Sequence, residues 1–206
     1  MARIANLNVD VLIDFISGTL PVPGGEEVVH LINAETEKTQ TAGPWNQTST
    51  INVFVADCHD EENEEHFRTW VKHCLRGTEG QKFHPTLNVP DLSFVVYKGT
   101  GKKNNGYSGF DTEDVEIYVA VGGHLFRLAF KTLHELLTHL EVETNIIRGL
   151  ATNFCDKATA IDSAKLGYRT CIDLRACRGI PFPDDDPRSE KNAIEEMEKA
   201  GVIIMH

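Results

Sequence analysis

Short apolar runs alternate along the chain with longer amphipathic ones. Residues 4–9, 51–56, 92–97 and 146–151 are rich in Ile, Val, Leu and Phe. The last three are apolar almost throughout, as expected of strands covered on both faces. Further strands are predicted at 170–174 and 202–205, and helices at 26–35, 132–141, 154–166 and 189–200. The second helix has the clearest signals. Thr132 with Glu135 reads as a capping box, and Leu133, Leu136, Leu137 and Leu140 recur on one helical face. Alternation of this kind predicts an α/β fold with a mainly parallel central sheet. No repeat, low-complexity tract or linker divides the sequence, so residues 1–206 read as one domain.

Two segments depart from simple alternation. Residues 115–121 and 125–130 each alternate apolar and polar positions around Gly122-Gly123, which predicts a β-hairpin on a tight glycine turn. An excursion at the domain edge is its plain role, and a subunit contact is the alternative. Residues 57–91 form a stretch too long for a routine connection, hence a candidate functional loop.

Composition narrows the partners. Of 206 residues, 41% are hydrophobic, which excludes wholesale disorder. The net charge of −11 repels phosphate backbones and anionic lipid, so neither nucleic acid nor membrane is an expected partner. Much of that charge is local, in Asp57, Asp60 and four glutamates between 61 and 65. Five cysteines do not make the dense framework of a small secreted domain. The first residues lack the apolar core of a signal peptide, so a cytoplasmic protein is expected.

Open α/β sheets bind ligands outside the carboxyl ends of their strands. Here Asp10, Asp57, Lys98 and Cys155 follow four predicted strands at once or after a short turn. A base and a positive charge are what a cysteine nucleophile needs, and the start of a helix favours an anion at Cys155. Cys171 in a strand and Cys177 in the loop beyond it read as inert packing residues. Cys58 and Cys74 adjoin histidines but read the same way.

A second cluster lies in the long loop. Asp57 and His59, two apart at a strand end, project to one side, and His66 and His73 follow. Two imidazoles and a carboxylate make a three-ligand metal site with positions left open, while a hydrogen-bonded surface cluster is the alternative.

The sequence Asp10-Val-Leu-Ile-Asp14-Phe15, with Leu20-Pro-Val-Pro-Gly-Gly25 after it, resembles the opening of the nicotinamidases among the isochorismatase-like cysteine hydrolases. The likeness continues through Asp57-x-His59, Trp70-Val-Lys-His73, Phe83-His-Pro85, Tyr97-Lys98-Gly99, Tyr107-Ser-Gly-Phe110 and Gly149-Leu-Ala-Thr-Asn-Phe-Cys155. It implies a three-layer αβα fold with the 115–130 hairpin as an insertion. It also implies hydrolysis of nicotinamide to nicotinate and ammonia, for NAD salvage. Asp10, Lys98 and Cys155 would be the triad, and the backbone N–H groups of Ala151 and Cys155 the oxyanion hole. A cis peptide would stand at Leu150–Ala151. Asp57, His59 and His73 would hold a divalent metal, zinc first and iron(II) or manganese as alternatives, with the alignment of His66 left open. Phe15 and Trp70 would stack on the substrate ring, and Tyr107 would lie at the pocket rim. Family members are often dimers or tetramers, which leaves a homo-oligomer open.

Departures from the pattern are local. Leu12 and Ile13 replace a polar pair, Asn153 stands where aspartate is frequent, and Phe154 stands where histidine or tyrosine occurs. A different small carboxamide as substrate, or a non-catalytic metal-binding role, are the competing functions.

Overall fold

The computed structural model describes residues 3–40 and 50–206. Eight strands form one sheet: β1 (Arg3–Val9), β2 (Thr50–Asp57), β3 (Phe94–Lys98), β4 (Glu116–Val121), β5 (His124–Arg127), β6 (Val142–Leu150), β7 (Arg169–Arg178) and β8 (Ile203–Met205). Their order is β5-β4-β3-β2-β1-β6-β7-β8. All pairings are parallel except those of β4 with β3 and β5. The expected hairpin therefore extends the sheet at one edge, and Gly122 and Gly123 turn it with φ of 57° and 75°, values that suit glycine.

Side chains alternate between two cores. Val53 and Val55 of β2 face one side, with Leu133, Leu136 and Leu137 of α4 (Leu133–His139), Ala160 of α5 (Lys157–Lys165) and Met197 of α6 (Glu190–Lys199). Phe54 and Ala56 face the other, with Phe15 of α1 (Ile13–Ile16) and Val28, Val29 and Ile32 of α2 (Gly25–Gln40). Three αβα layers result, because central strands such as β2 and β3 are apolar on both faces. A short α3 (Glu64–Phe67) lies in the long connection between β2 and β3. Among the described residues no helix is long and apolar enough to cross a membrane.

The cap of α4 is a variant of the expected box. Thr132 accepts from the Glu135 N–H at 3.1 Å, but the Glu135 carboxylate reaches the N–H of Lys131 rather than that of Thr132. The predicted helix 154–166 is really two pieces, a π-helical turn over Thr152–Asp156 and then α5. The strand expected at 170–174 runs to Arg178, which puts Cys177 inside β7 rather than in a loop. Its apolar signal is interrupted by Asp173, which is buried against Arg148 at 3.1 Å and paired with Arg175 at 2.8 Å. The β6–β7 register shifts beside this ion cluster, so β7 resumes pairing past the point where alternation stops.

The chain lays β2 and β3 on one side of β1 and later lays β6, β7 and β8 on the other. The strand order thus reverses at β1, and the carboxyl ends of β1 and β6 open onto the place where such sheets bind ligands.

Candidate active site

Asp10 follows β1 with φ of 52°, a left-handed conformation uncommon for a non-glycine residue. Its Oδ1 accepts from the backbone N–H of Asp57 at 2.8 Å, and its own N–H donates to the Val55 carbonyl at 2.8 Å. Two hydrogen bonds to the neighbouring strand thus hold a sparsely populated backbone angle. Lys98 ends β3 and is fully buried. Its Nζ lies 2.9 Å from Asp10 Oδ2 and 3.5 Å from Cys155 Sγ, and it donates to the Gly106 carbonyl at 2.6 Å and to Asp57 Oδ1. Cys155 lies on the π-helical turn after β6, and the Leu150–Ala151 peptide before that turn is cis. The Cys155 sulfur and one carboxylate oxygen each of Asp10 and Asp57 lie within 4.8 Å of one another. Lys98 reaches all three, and its single positive charge offsets one of the two carboxylates.

Electrostatics assign the resting protons. Burial, reinforced by the Asp57 charge and opposed by Lys98, raises Asp10 to about 6. Burial also pushes the Cys155 thiol well above its usual value; Lys98 works against this, and Asp10 and Asp57 add to it. Burial works against the Lys98 ammonium as well, but the two carboxylates and Cys155 hold it well above the ordinary lysine value. At neutral pH the set is a carboxylate, an ammonium and a neutral thiol. The positive charge expected to yield a resting thiolate is outweighed by burial and by two nearby carboxylates.

His59, His66 and His73 gather beside this set, and their ligand atoms lie within 4.8 Å of one another. The His59 and His66 rings stack at 4.1 Å, and the His73 ring meets each of them at 5.1–5.2 Å. Both ring nitrogens of His59 and of His66 are buried without a hydrogen-bond partner. Asp57 Oδ2 lies 3.4 Å from His59 Nε2, outside hydrogen-bond alignment. His73 Nδ1 sits 2.7 Å from the Val71 carbonyl, so that nitrogen carries the proton and leaves Nε2 with a free lone pair. Burial, with the neighbouring imidazoles adding to it, lowers His66 to about 3, and burial lowers His73 as well. Neutral, unpaired, buried imidazoles are costly alone and are what a divalent metal requires. The structure thus brings His66, which the spacing left open, into the same cluster as His59 and His73, with Asp57 at its border.

The aromatic residues line one side. Phe15 is buried and meets the His73 ring edge-on at 5.2 Å. Trp70 Nε1 donates to the Tyr107 hydroxyl at 2.8 Å, and its ring meets Phe154 at 4.9 Å. Phe154 in turn contacts Phe182 at 6.0 Å. Asn153 ties that outer segment down by donating to the Ile180 and Arg188 carbonyls and accepting from the Ile180 N–H.

Sequence reading gave no role to three positions. Asp14 accepts from the Cys74 N–H at 2.7 Å and the Thr19 N–H at 3.0 Å, so it fixes the turn after His73, where Cys74 has φ of 46°. Its spacing of four from Asp10 was the available signal. Asn63 and Asn153 act through long-range hydrogen bonds that no local pattern announces. The acidic run 60–65 is the solvated face expected of a charge run: Glu61 pairs with Lys72, and Glu62 with Lys102.

The chain is similar to several known proteins. The isochorismatase domain family matches residues 127–206. The chain is similar to the nicotinamidase of Escherichia coli (strain K12), 27% identical over 213 residues, covering 97% of this chain and 93% of that one. It is also 27% identical over 198 residues to the nicotinamidase/pyrazinamidase of Mycobacterium tuberculosis (strain ATCC 25618 / H37Rv), covering 96% and 95%. The solved pyrazinamidase of Pyrococcus horikoshii in complex with zinc superposes with a TM-score of 0.78 at 29% identity over 99% of each chain.

Proposed function

We propose that this chain, which is similar to the isochorismatase-like hydrolases, is an amidohydrolase that converts nicotinamide to nicotinate and ammonia. The observation that carries this reading is that Asp57 joins a buried Asp10–Lys98–Cys155 set to a cluster of unpaired imidazoles. One side of such a site suits an amide carbon and the other suits a ring nitrogen donor. Residues 1–206 act as one domain in this reading, working in the cytoplasm.

Asp10, largely ionised at pH 7 with its value about 6, takes the proton from the Cys155 thiol. The sulfur attacks the amide carbon, and the C–N electron pair leaves as ammonia with the proton that Asp10 then returns. The backbone N–H groups of Ala151 and Cys155 receive the developing oxyanion. Water, deprotonated by Asp10, adds to the thioester carbon; the C–S bond breaks, the acid departs and the thiol regains its proton. Lys98 stays protonated throughout and holds both reacting side chains in place. Phe15, Trp70 and Tyr107 flank the substrate ring.

His59, His66 and His73, with Asp57 beside them, are the residues that would hold a divalent metal. Such an ion supplies a Lewis-acid position with room for the ring nitrogen of the substrate. Zinc is the assignment we favour, supported by the donor set and by the zinc complex of the Pyrococcus horikoshii relative; iron(II) and manganese suit the same donors.

The test is ammonia release by purified protein from nicotinamide and from benzamide, which lacks the ring nitrogen. Nicotinamide is expected to be strongly preferred. Turnover of another carboxamide with none of nicotinamide would overturn the substrate.

A further inference from the structure

Asn63 is fully buried, and its side chain joins two segments. Its Oδ1 caps α3 by accepting from the His66 N–H at 3.2 Å. Its Nδ2 donates to the carbonyls of Gly101 at 3.2 Å and Asn104 at 2.7 Å. Only this orientation of the amide serves a donor on one side and two acceptors on the other. The loop it grips, residues 99–106, touches both halves of the site. Its last carbonyl, that of Gly106, accepts from Lys98 Nζ at 2.6 Å. At its start, a Cβ on Gly99 would lie 2.9 Å from the His59 ring, so glycine lets the backbone rest against that imidazole. The two ends close on each other, since a Cβ on Gly106 would meet Gly99 Cα at 2.5 Å. Asn104 Oδ1 finishes the loop by accepting from the Gly106 N–H at 2.9 Å.

We infer that Asn63 is a positioning residue that couples the histidine cluster to Lys98, by pinning the 99–106 loop to the helix that carries His66. One amide sets the place of a metal-binding imidazole, and through the loop it also sets the carbonyl that anchors the lysine beside the nucleophile. The inference rests on His66 belonging to the metal set, and it is independent of which amide the enzyme hydrolyses. Outer partners of this sort are worth roughly 10–100-fold in metal affinity.

Asn63→Ser keeps an acceptor for the cap but is too short to reach the two carbonyls. Gly106→Ala opens the loop from its other end without touching Asn63. Zinc affinity is read by competition with a chromogenic chelator. Cys155 alkylation by iodoacetamide is read in metal-free protein by mass spectrometry, with no substrate in either assay. Both variants are expected to lose about 10–100-fold in zinc affinity and to alkylate Cys155 several-fold more slowly, because Lys98 loses its fixed place beside the sulfur. Weaker zinc binding with unchanged alkylation would reduce Asn63 to a helix cap and overturn the coupling, as would no change in either. If Asn63→Ser fails to fold by circular dichroism, Gly106→Ala decides alone. A wild-type chain that binds no zinc overturns the metal assignment and the coupling together, before any variant is made.

Discussion

Asp10, Lys98 and Cys155 come from three different strands or the turn after one, whereas His59, His66 and His73 all come from the connection between β2 and β3. The first group is complete in itself. Every charge meets its opposite, and Lys98 touches both carboxylates and the thiol. The second group is chemically unfinished, with four imidazole nitrogens buried and unpaired. The difference shows what each can do alone. A parallel sheet fixes strand ends to within a register position, so it can prearrange acid–base chemistry. A loop gathers donors whose burial is repaid only by a ligand. The two groups meet at Asp57, which pairs with Lys98 through one oxygen and borders His59 with the other.

That contrast can be broken by asking whether the halves fail separately. Cys155→Ala is expected to cut turnover by about 10⁴-fold or more while zinc content, read by mass spectrometry, stays at the wild-type level. Full activity in that variant would falsify the mechanism. His66→Ala is expected to weaken zinc binding by at least about 100-fold, the upper range seen for outer partners alone, and to spare the alkylation of Cys155. Activity lost from wild type on chelation should return with added zinc.

A pH profile sharpens the same division. Asp10 must be ionised to take the thiol proton, and burial raises it to about 6. Turnover should therefore hold at neutral pH and fall about tenfold per unit below pH 6; a limb near 4 would show that Asp10 is not the base. The smallest effect is expected in the acidic run. Glu62→Gln breaks an exposed pair with Lys102, and neither melting temperature nor zinc affinity should change measurably.

What could be read from sequence follows from the range over which each signal acts. Apolar runs that end on Asp10, Asp57, Lys98 and Cys155 announce themselves, because a reactive polar residue stands out directly after a run of Val, Ile and Phe. The resemblance carried the roles of those residues further than spacing could. His66 was ambiguous because an irregular loop and the single turn of α3 separate it from its neighbours, and no periodicity relates their directions. Asn63 and Asn153 were silent because they grip carbonyls 27 to 41 residues away in sequence, and Asp14 offered only its spacing of four from Asp10. The end of β7 was misplaced because a buried Arg148–Asp173 pair mimics the polarity of a loop. Gly122-Gly123 was legible because its turn is a two-residue code.

The neutral, 5% exposed thiol of Cys155 has a consequence for durability. Thiolates, far more than thiols, attack peroxides and disulfides, and the oxidant must reach the sulfur. A thiol that burial keeps protonated spends its idle time in a form that oxidants react with slowly. The other four cysteines are free and buried too, so no exposed thiol stands ready to trap it in a mixed bond. Wear resistance here comes from withholding reactivity.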